Sequence, residues 1–164
     1  MTGKIVSRQF LLVGMRSNGA FSEFGTIVPN AAREVMARSS EIEGSSGREI
    51  ALFEPKRSED HLQGEFIAGL MVAMPVRNVP DGMLYIETQG DYAMASGKIE
   101  ALNSLHAGLL EWTARQGFQV DRKEYIVEIY IPADHGEDVE IYLPLQSSHK
   151  QTSPFPFLPP NDRQ

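Results

Sequence analysis

Apolar residues recur along this chain at strand spacing, then at helical spacing, then at strand spacing again, and the whole order returns in the second half. Residues 4–15 (KIVSRQFLLVGM) carry apolar side chains at a density that predicts a strand. Over residues 29–39, Ala32, Val35, Met36 and Ser39 share one helical face, and Pro29 suits a first helical turn. Strand patterns follow at 48–54 and 63–75, and Asn78-Val79-Pro80-Asp81-Gly82 is a turn signal near the midpoint. Beyond it the pattern predicts a strand over 83–89, a helix over 97–116, and strands over 123–131 and 138–145. In that helix Ile99, Leu102, His106 and Leu109 form the stripe, Ser96 is placed to cap it and Gly117 to end it.

The two halves superpose through their strand-ending prolines, Pro55 on Pro132 and Pro75 on Pro144. This sets Ala51 against Glu128, Phe53 against Tyr130 and Met71 against Glu140. The expected fold is α+β, a duplicated βαββ unit whose antiparallel sheets and two helices surround a central groove. One domain is expected over residues 1–146, with halves at about 1–77 and 78–146. The remainder, 147–164, contains SPFPFLPP and reads as an extended tail whose Phe155 and Phe157 are placed to dock on a neighbour.

Alternation in the last two strands raises a chemical question. Tyr125, Val127, Ile129 and Ile131 point one way, and Ile126, Glu128 and Tyr130 the other; Val139, Ile141, Leu143 and Leu145 oppose Glu140 and Tyr142. The aliphatic rows suit packing beneath the helix stripe. A turn centred at His135 would set Glu128 across from Tyr142 and Tyr130 across from Glu140, a checkerboard of carboxylates and phenols on the face away from the helix. Such a face either meets water or lines a pocket, which Ile126 and the paired tyrosines favour.

Composition narrows the chemistry. The chain has 164 residues, 41% of them hydrophobic, and no apolar run approaches the roughly 20 residues a membrane helix needs. It has no cysteine, which excludes disulfides, thiolate metal sites and a cysteine nucleophile. The formal charge of −7, with 15 basic residues scattered among 22 acidic ones, argues against nucleic acid. His61, His106, His135 and His149 show no ligand spacing, so neither metal nor cofactor is expected, and the default location is cytoplasmic. Trp112 reads equally as a helix-core aromatic or a pocket wall, Tyr85 and Tyr92 flank the strand that follows the midpoint turn, and core packing is the simpler role for Phe53 and Met71.

VPDGMLYIETQGDYAMASG, then LLEWTARQGF, then YIVEIYIP and DVEIYLPL resemble the second half of a GyrI-like domain, of the AraC-type effector-binding, gyrase-inhibitor-like and SOUL-related superfamily. FGTIVP and FIAGLMV are similar to its first half, so the resemblance spans about residues 1–146. AMASGKI stands as a loop shorter than the family's usual segment before the second helix, and no helix-turn-helix is legible. The resemblance implies two βαββ repeats forming a groove that receives lipophilic cations, with a glutamate of the tyrosine-bearing strand at its floor. Glu128 matches that glutamate. Glu140 and Tyr142 match further pocket-lining positions, and Tyr130, Trp112, Tyr92, Phe53 and Met71, taken from the strand and repeat pattern, complete the expected ligand-binding set.

Two further uses of the same groove stay open at this point. Some GyrI-like proteins hydrolyse cyclopropane rings of genotoxic natural products, and Glu128 would then orient or deprotonate water. Others act as protein-interaction modules, which leaves a protein partner or a homodimer open. A small-molecule binder for hydrophobic, often cationic compounds is the leading expectation, with no direct nucleic-acid or membrane partner.

Overall fold

The computed structural model describes residues 2–134 and 136–147, so most of the predicted tail lies outside the described residues. Its first strand, β1 (Lys4–Ala20), runs well past the predicted end at Met15 because it has two partners. β1 pairs with β4 (Leu84–Lys98) along Lys4 to Gly14 and with β3 (Gln63–Val72) along Leu12 to Ala20. Where the pairings overlap, Gly14 faces Gly69, and a Cβ on Gly69 would stand 2.0 Å from the Val13 carbonyl oxygen. Only glycine permits the two backbones to approach that closely.

The other strands are β2 (Ser45–Phe53), β5 (Ile126–Ala133) and β6 (Gly136–Pro144). All six close an antiparallel barrel in the order β1-β3-β2-β5-β6-β4, which buries every edge. Two helices lie outside the barrel, α1 (Phe24–Met36) after β1 and α2 (Leu102–Arg115) after β4, so the βαββ order does occur twice. β2 and β5 join the halves, and Ala51 pairs directly with Glu128, the position it matches in the repeat. Glu128 therefore stands at the centre of the seam between the halves. Among the described residues no helix is long and apolar enough to cross a membrane.

Two further predicted boundaries move, and one holds. α1 begins five residues before Pro29, which sits inside the helix and removes the bond that would have reached the Gly25 carbonyl. β4 continues to Lys98, through the stretch expected to be a loop and then a helix start. There Tyr92 and Met94 enter the barrel while Ala93 and Ala95 lie beneath the helices, so both faces are buried and the period-two signal disappears. The end of α2 falls where Gly117 predicted it. Gly117 has φ of 87°, its N–H reaches the Ala114 carbonyl at 3.0 Å, and the Phe118 N–H reaches the Thr113 carbonyl at 3.2 Å.

The β5–β6 register also differs from the expected one, by a single residue. Ala133 pairs with Gly136, which leaves a two-residue connection, and Gly136 has φ of 133°. Glu128 then faces Ile141 and Tyr130 faces Val139, whereas Ile129 faces Glu140 and Val127 faces Tyr142. The expected checkerboard therefore splits. Glu128 and Tyr130 join Val139, Ile141 and Leu143 on the outer, helix-covered face, while Val127, Ile129 and Tyr142 turn into the barrel with Phe10, Leu12, Ile50 and Leu52. The β6 aliphatic row lies beneath the helices as expected, but the β5 row does not.

Candidate functional site

A groove of about 770 Å³ opens on the outer face where the start of α1, the start of α2 and the β2–β5 seam meet. Its apolar wall comes from Phe21, Phe24, Phe53, Ile99, Leu102 and Ile126. Phe24 packs edge-on against Phe53 at 5.6 Å and lies 4.9 Å from Phe21, and Phe53 lies 6.2 Å from the His106 ring. The polar positions are Glu54, Lys56, Glu100, Asn103, His106 and Glu128, with Ser22 and Thr26 on the α1 side.

Glu128 is the deepest of these, with 3% of its surface exposed. A buried carboxylate must find hydrogen-bond donors or carry a large desolvation cost. It finds two: the Tyr130 hydroxyl donates to Oε1 at 2.6 Å, and His106 Nε2 lies 2.6 Å from Oε2. α2 aims His106 from its stripe down at the seam, and β5 places Tyr130 two residues along the same face. Burial, then the Glu128 carboxylate, push the Tyr130 phenol well above its ordinary range, so it stays a donor. At the rim, Arg57 bonds Glu54 at 2.8 Å and holds that carboxyl below the usual range.

The remaining expected site residues scatter. Tyr130 supports Glu128 from behind without lining the groove, and Phe53 lines the wall. Trp112 packs half-buried in the core under α2, beside Leu109 and Gly3. Tyr92, Tyr142 and Met71 pack with the barrel interior, on the far side of the sheet from Glu128. There Tyr142 stands edge-on to Phe10 at 5.0 Å, accepts from Arg8 and donates to Glu140 at 2.8 Å. Burial and Glu140 raise the Tyr142 phenol. Among the described residues, no cluster of three or more His, Cys, Asp or Glu is arranged to hold a metal ion.

Sequence reading missed three groove residues. His106 had one signal, an imidazole on an otherwise apolar stripe, but its partner is 22 residues away on another element. Phe21 and Phe24 lie before the predicted helix start, so their positions on one wall became visible only once α1 began at Phe24. A smaller pocket of about 360 Å³ adjoins the groove, and the two share Pro55, Lys56, Asn103, His106 and Ile126.

No protein-family model and no curated protein matches the sequence. Solved structures do match in shape. SAV2435, whose structure was solved bound to tetraphenylphosphonium, superposes with a TM-score of 0.64 at 12% identity, over 93% of this chain and 98% of that one. The EcmrR C-terminal domain gives a TM-score of 0.59 at 14% identity, over 88% and 97%. A hydrolase from Listeria innocua gives 0.52 at 13% identity, over 88% and 91%. Two βαββ units, a helix-lined groove on their seam and these superpositions together give this chain the GyrI-like fold.

Proposed function

We propose that the groove between α1 and α2 binds hydrophobic, cationic organic molecules, with Glu128 as the charge-bearing contact. The observation that carries this reading is a nearly buried carboxylate at the floor of a groove walled by phenylalanines. The groove volume of about 770 Å³ lies within the roughly 300–1,000 Å³ usual for small-molecule sites. Aromatic rings offer a flat cation dispersion and cation–π contact, about 0.5–2 kcal/mol each. The carboxylate adds a charge interaction strengthened by the low local dielectric, because Glu128 is desolvated before the ligand arrives. The likeness to SAV2435 gives tetraphenylphosphonium as a first probe.

Calorimetric titration of tetraphenylphosphonium tests the reading. Wild type should bind it, Glu128→Gln should bind at least tenfold more weakly, and the neutral triphenylphosphine oxide should bind both proteins alike. Equal affinity of the two proteins for the cation would remove Glu128 from the site.

The hydrogen-bonded series His106, Glu128, Tyr130 favours one second reading, hydrolysis, since it couples an acid–base pair to a fixed phenol. Turnover of a cyclopropane-bearing electrophile, lost in Glu128→Gln, would establish it. Binding without turnover would leave the groove a receptor.

A further inference from the structure

Glu128 meets the groove already joined to another group that can carry positive charge. We propose that His106 sets the ligand specificity of this site: a bound cation takes the place of one proton on the His106–Glu128 pair, so cation binding is coupled to proton release. This inference rests on the small-molecule reading above and extends it to the site's regulation.

The argument begins with counting protons. With two protons the pair is neutral overall, and with one it carries a single negative charge, whichever atom holds them. Nε2 and Oε2 stand 2.6 Å apart, so the protons are counted for the pair and not for either residue. Tyr130 holds the other carboxylate oxygen as a neutral donor, so it leaves this count unchanged. A cation entering the groove is attracted by the one-proton pair and meets no net charge on the two-proton pair. Neutral aromatic ligands do not distinguish the two states.

Burial supplies the route for the proton. The Glu128 side chain is 4% exposed and that of His106 is 25% exposed, so the proton passes to solvent through the imidazole. The other titratable groups facing the pair are few. Glu54 and Lys56 face it from the end of β2 and beyond, Glu100 from the turn before α2, and Tyr130 from β5; Glu49 and Glu137 act on Tyr130 from behind. The α1 side contributes Phe21, Ser22, Phe24 and Thr26 to the groove, none of them charged. At the rim His61 lies 3.9 Å from Glu54 and edge-on to Phe21 at 4.8 Å, which makes it the control imidazole.

Linkage sets the size of the effect. Affinity for a cation should rise with pH, by at most about tenfold per unit, across the range in which the pair passes from two protons to one. The experiment is calorimetry of tetraphenylphosphonium in two buffers of different ionisation enthalpy, with triphenylphosphine oxide as the neutral probe. Wild type and His61→Gln should release up to one proton per cation and none for the oxide. His106→Asn keeps an amide donor near Glu128 and leaves the carboxyl as the only group of the pair able to take up a proton, so the pH range over which cation affinity rises, and the proton release at a fixed pH, should differ from wild type. Wild type supplies a readout that needs no variant: the His106 ring nitrogen signals should move toward the neutral form on adding the cation, while those of His61 stay. Cation binding without proton release, or a pH profile of cation affinity that is the same in His106→Asn as in wild type, would overturn this inference and leave the binding reading standing. No cation binding at any pH would overturn both.

Discussion

Replacing Tyr130 by phenylalanine removes one hydroxyl and little else. The ring is 1% exposed and packs with Val139, Ile141 and Leu143, contacts that phenylalanine keeps. What disappears is a 2.6 Å hydrogen bond to a carboxylate that is itself 3% exposed. Hydrogen bonds to a charged group contribute about 1.5–3 kcal/mol, and those between neutral groups about 0.5–1.5. Tyr130→Phe should therefore cost about 2 kcal/mol, roughly 4–8 °C in Tm for a domain of this size. In a Glu128→Gln background the same change breaks only a neutral bond and should cost about 1 kcal/mol, leaving a coupling of about 1 kcal/mol in the double-mutant cycle. Urea unfolding at pH 8, followed by the fluorescence of Trp112, the only tryptophan, measures all four proteins. A Tyr130→Phe cost that is the same in both backgrounds would show that the hydroxyl does not act on the carboxylate charge, and the account of the groove floor would fail.

Other consequences can be measured with the same unfolding assay. Gly69→Ala should prevent stable folding, because its Cβ would stand 2.0 Å from the Val13 carbonyl oxygen on a barrel strand; a soluble variant with wild-type Tm would refute the close approach. Trp112→Ala should cost about 2–3 kcal/mol, below the range for a fully buried aromatic, and should leave tetraphenylphosphonium affinity within about twofold, since the ring does not line the groove. Burial raises the Glu49 carboxyl, and a raised carboxyl makes the native state relatively more stable as pH falls. Glu49→Gln should then match or exceed wild type near pH 7 and lose that advantage toward pH 4; an advantage that grows on acidification would reverse the sign. The Tyr130 phenol is raised in the same sense, and its effect falls in the alkaline range. Its share of stability should be complete below about pH 10 and fall above it as the unfolded phenol ionises, so alkaline unfolding should begin later in Tyr130→Phe when each protein is compared with its own value at pH 8.

Much of this architecture was legible because local chemistry and tertiary structure agree. Leu102, His106 and Leu109 of the stripe lie in α2 and Ile99 in the turn just before it, Gly117 does end the helix, and two rounds of strand, helix, strand, strand do occur. Glu128 was legible as a carboxylate on the face opposite the isoleucines of its strand, whereas Phe53 was legible only as the counterpart of Tyr130, with core packing as its simpler role. Where the two disagree, the cause is specific. β4 runs between the barrel and the helices, so alanines replace the alternation that marks a half-buried strand. Pro29 is a strong signal for a helix start, yet α1 begins five residues earlier and accommodates the proline inside.

The sequence by itself determined the element types, the duplication and the carboxylate at its centre, because propensity, capping and periodicity act within a few residues. Tertiary structure alone decided which residues meet Glu128. Side chains alternate every residue along a strand, so a one-residue change of register at the Ala133–Gly136 connection sends Glu140 and Tyr142 to the opposite face from Glu128 and Tyr130. The length of that connection is a property of the whole hairpin, and the sequence allows either register. His106 reaches Glu128 across 22 residues and two elements, and only the seating of α2 over the β2–β5 seam brings its imidazole to the carboxylate. Barrel closure provides that seat: β1 of the first half pairs with β4 of the second, so the groove exists only once these distant pairings have formed.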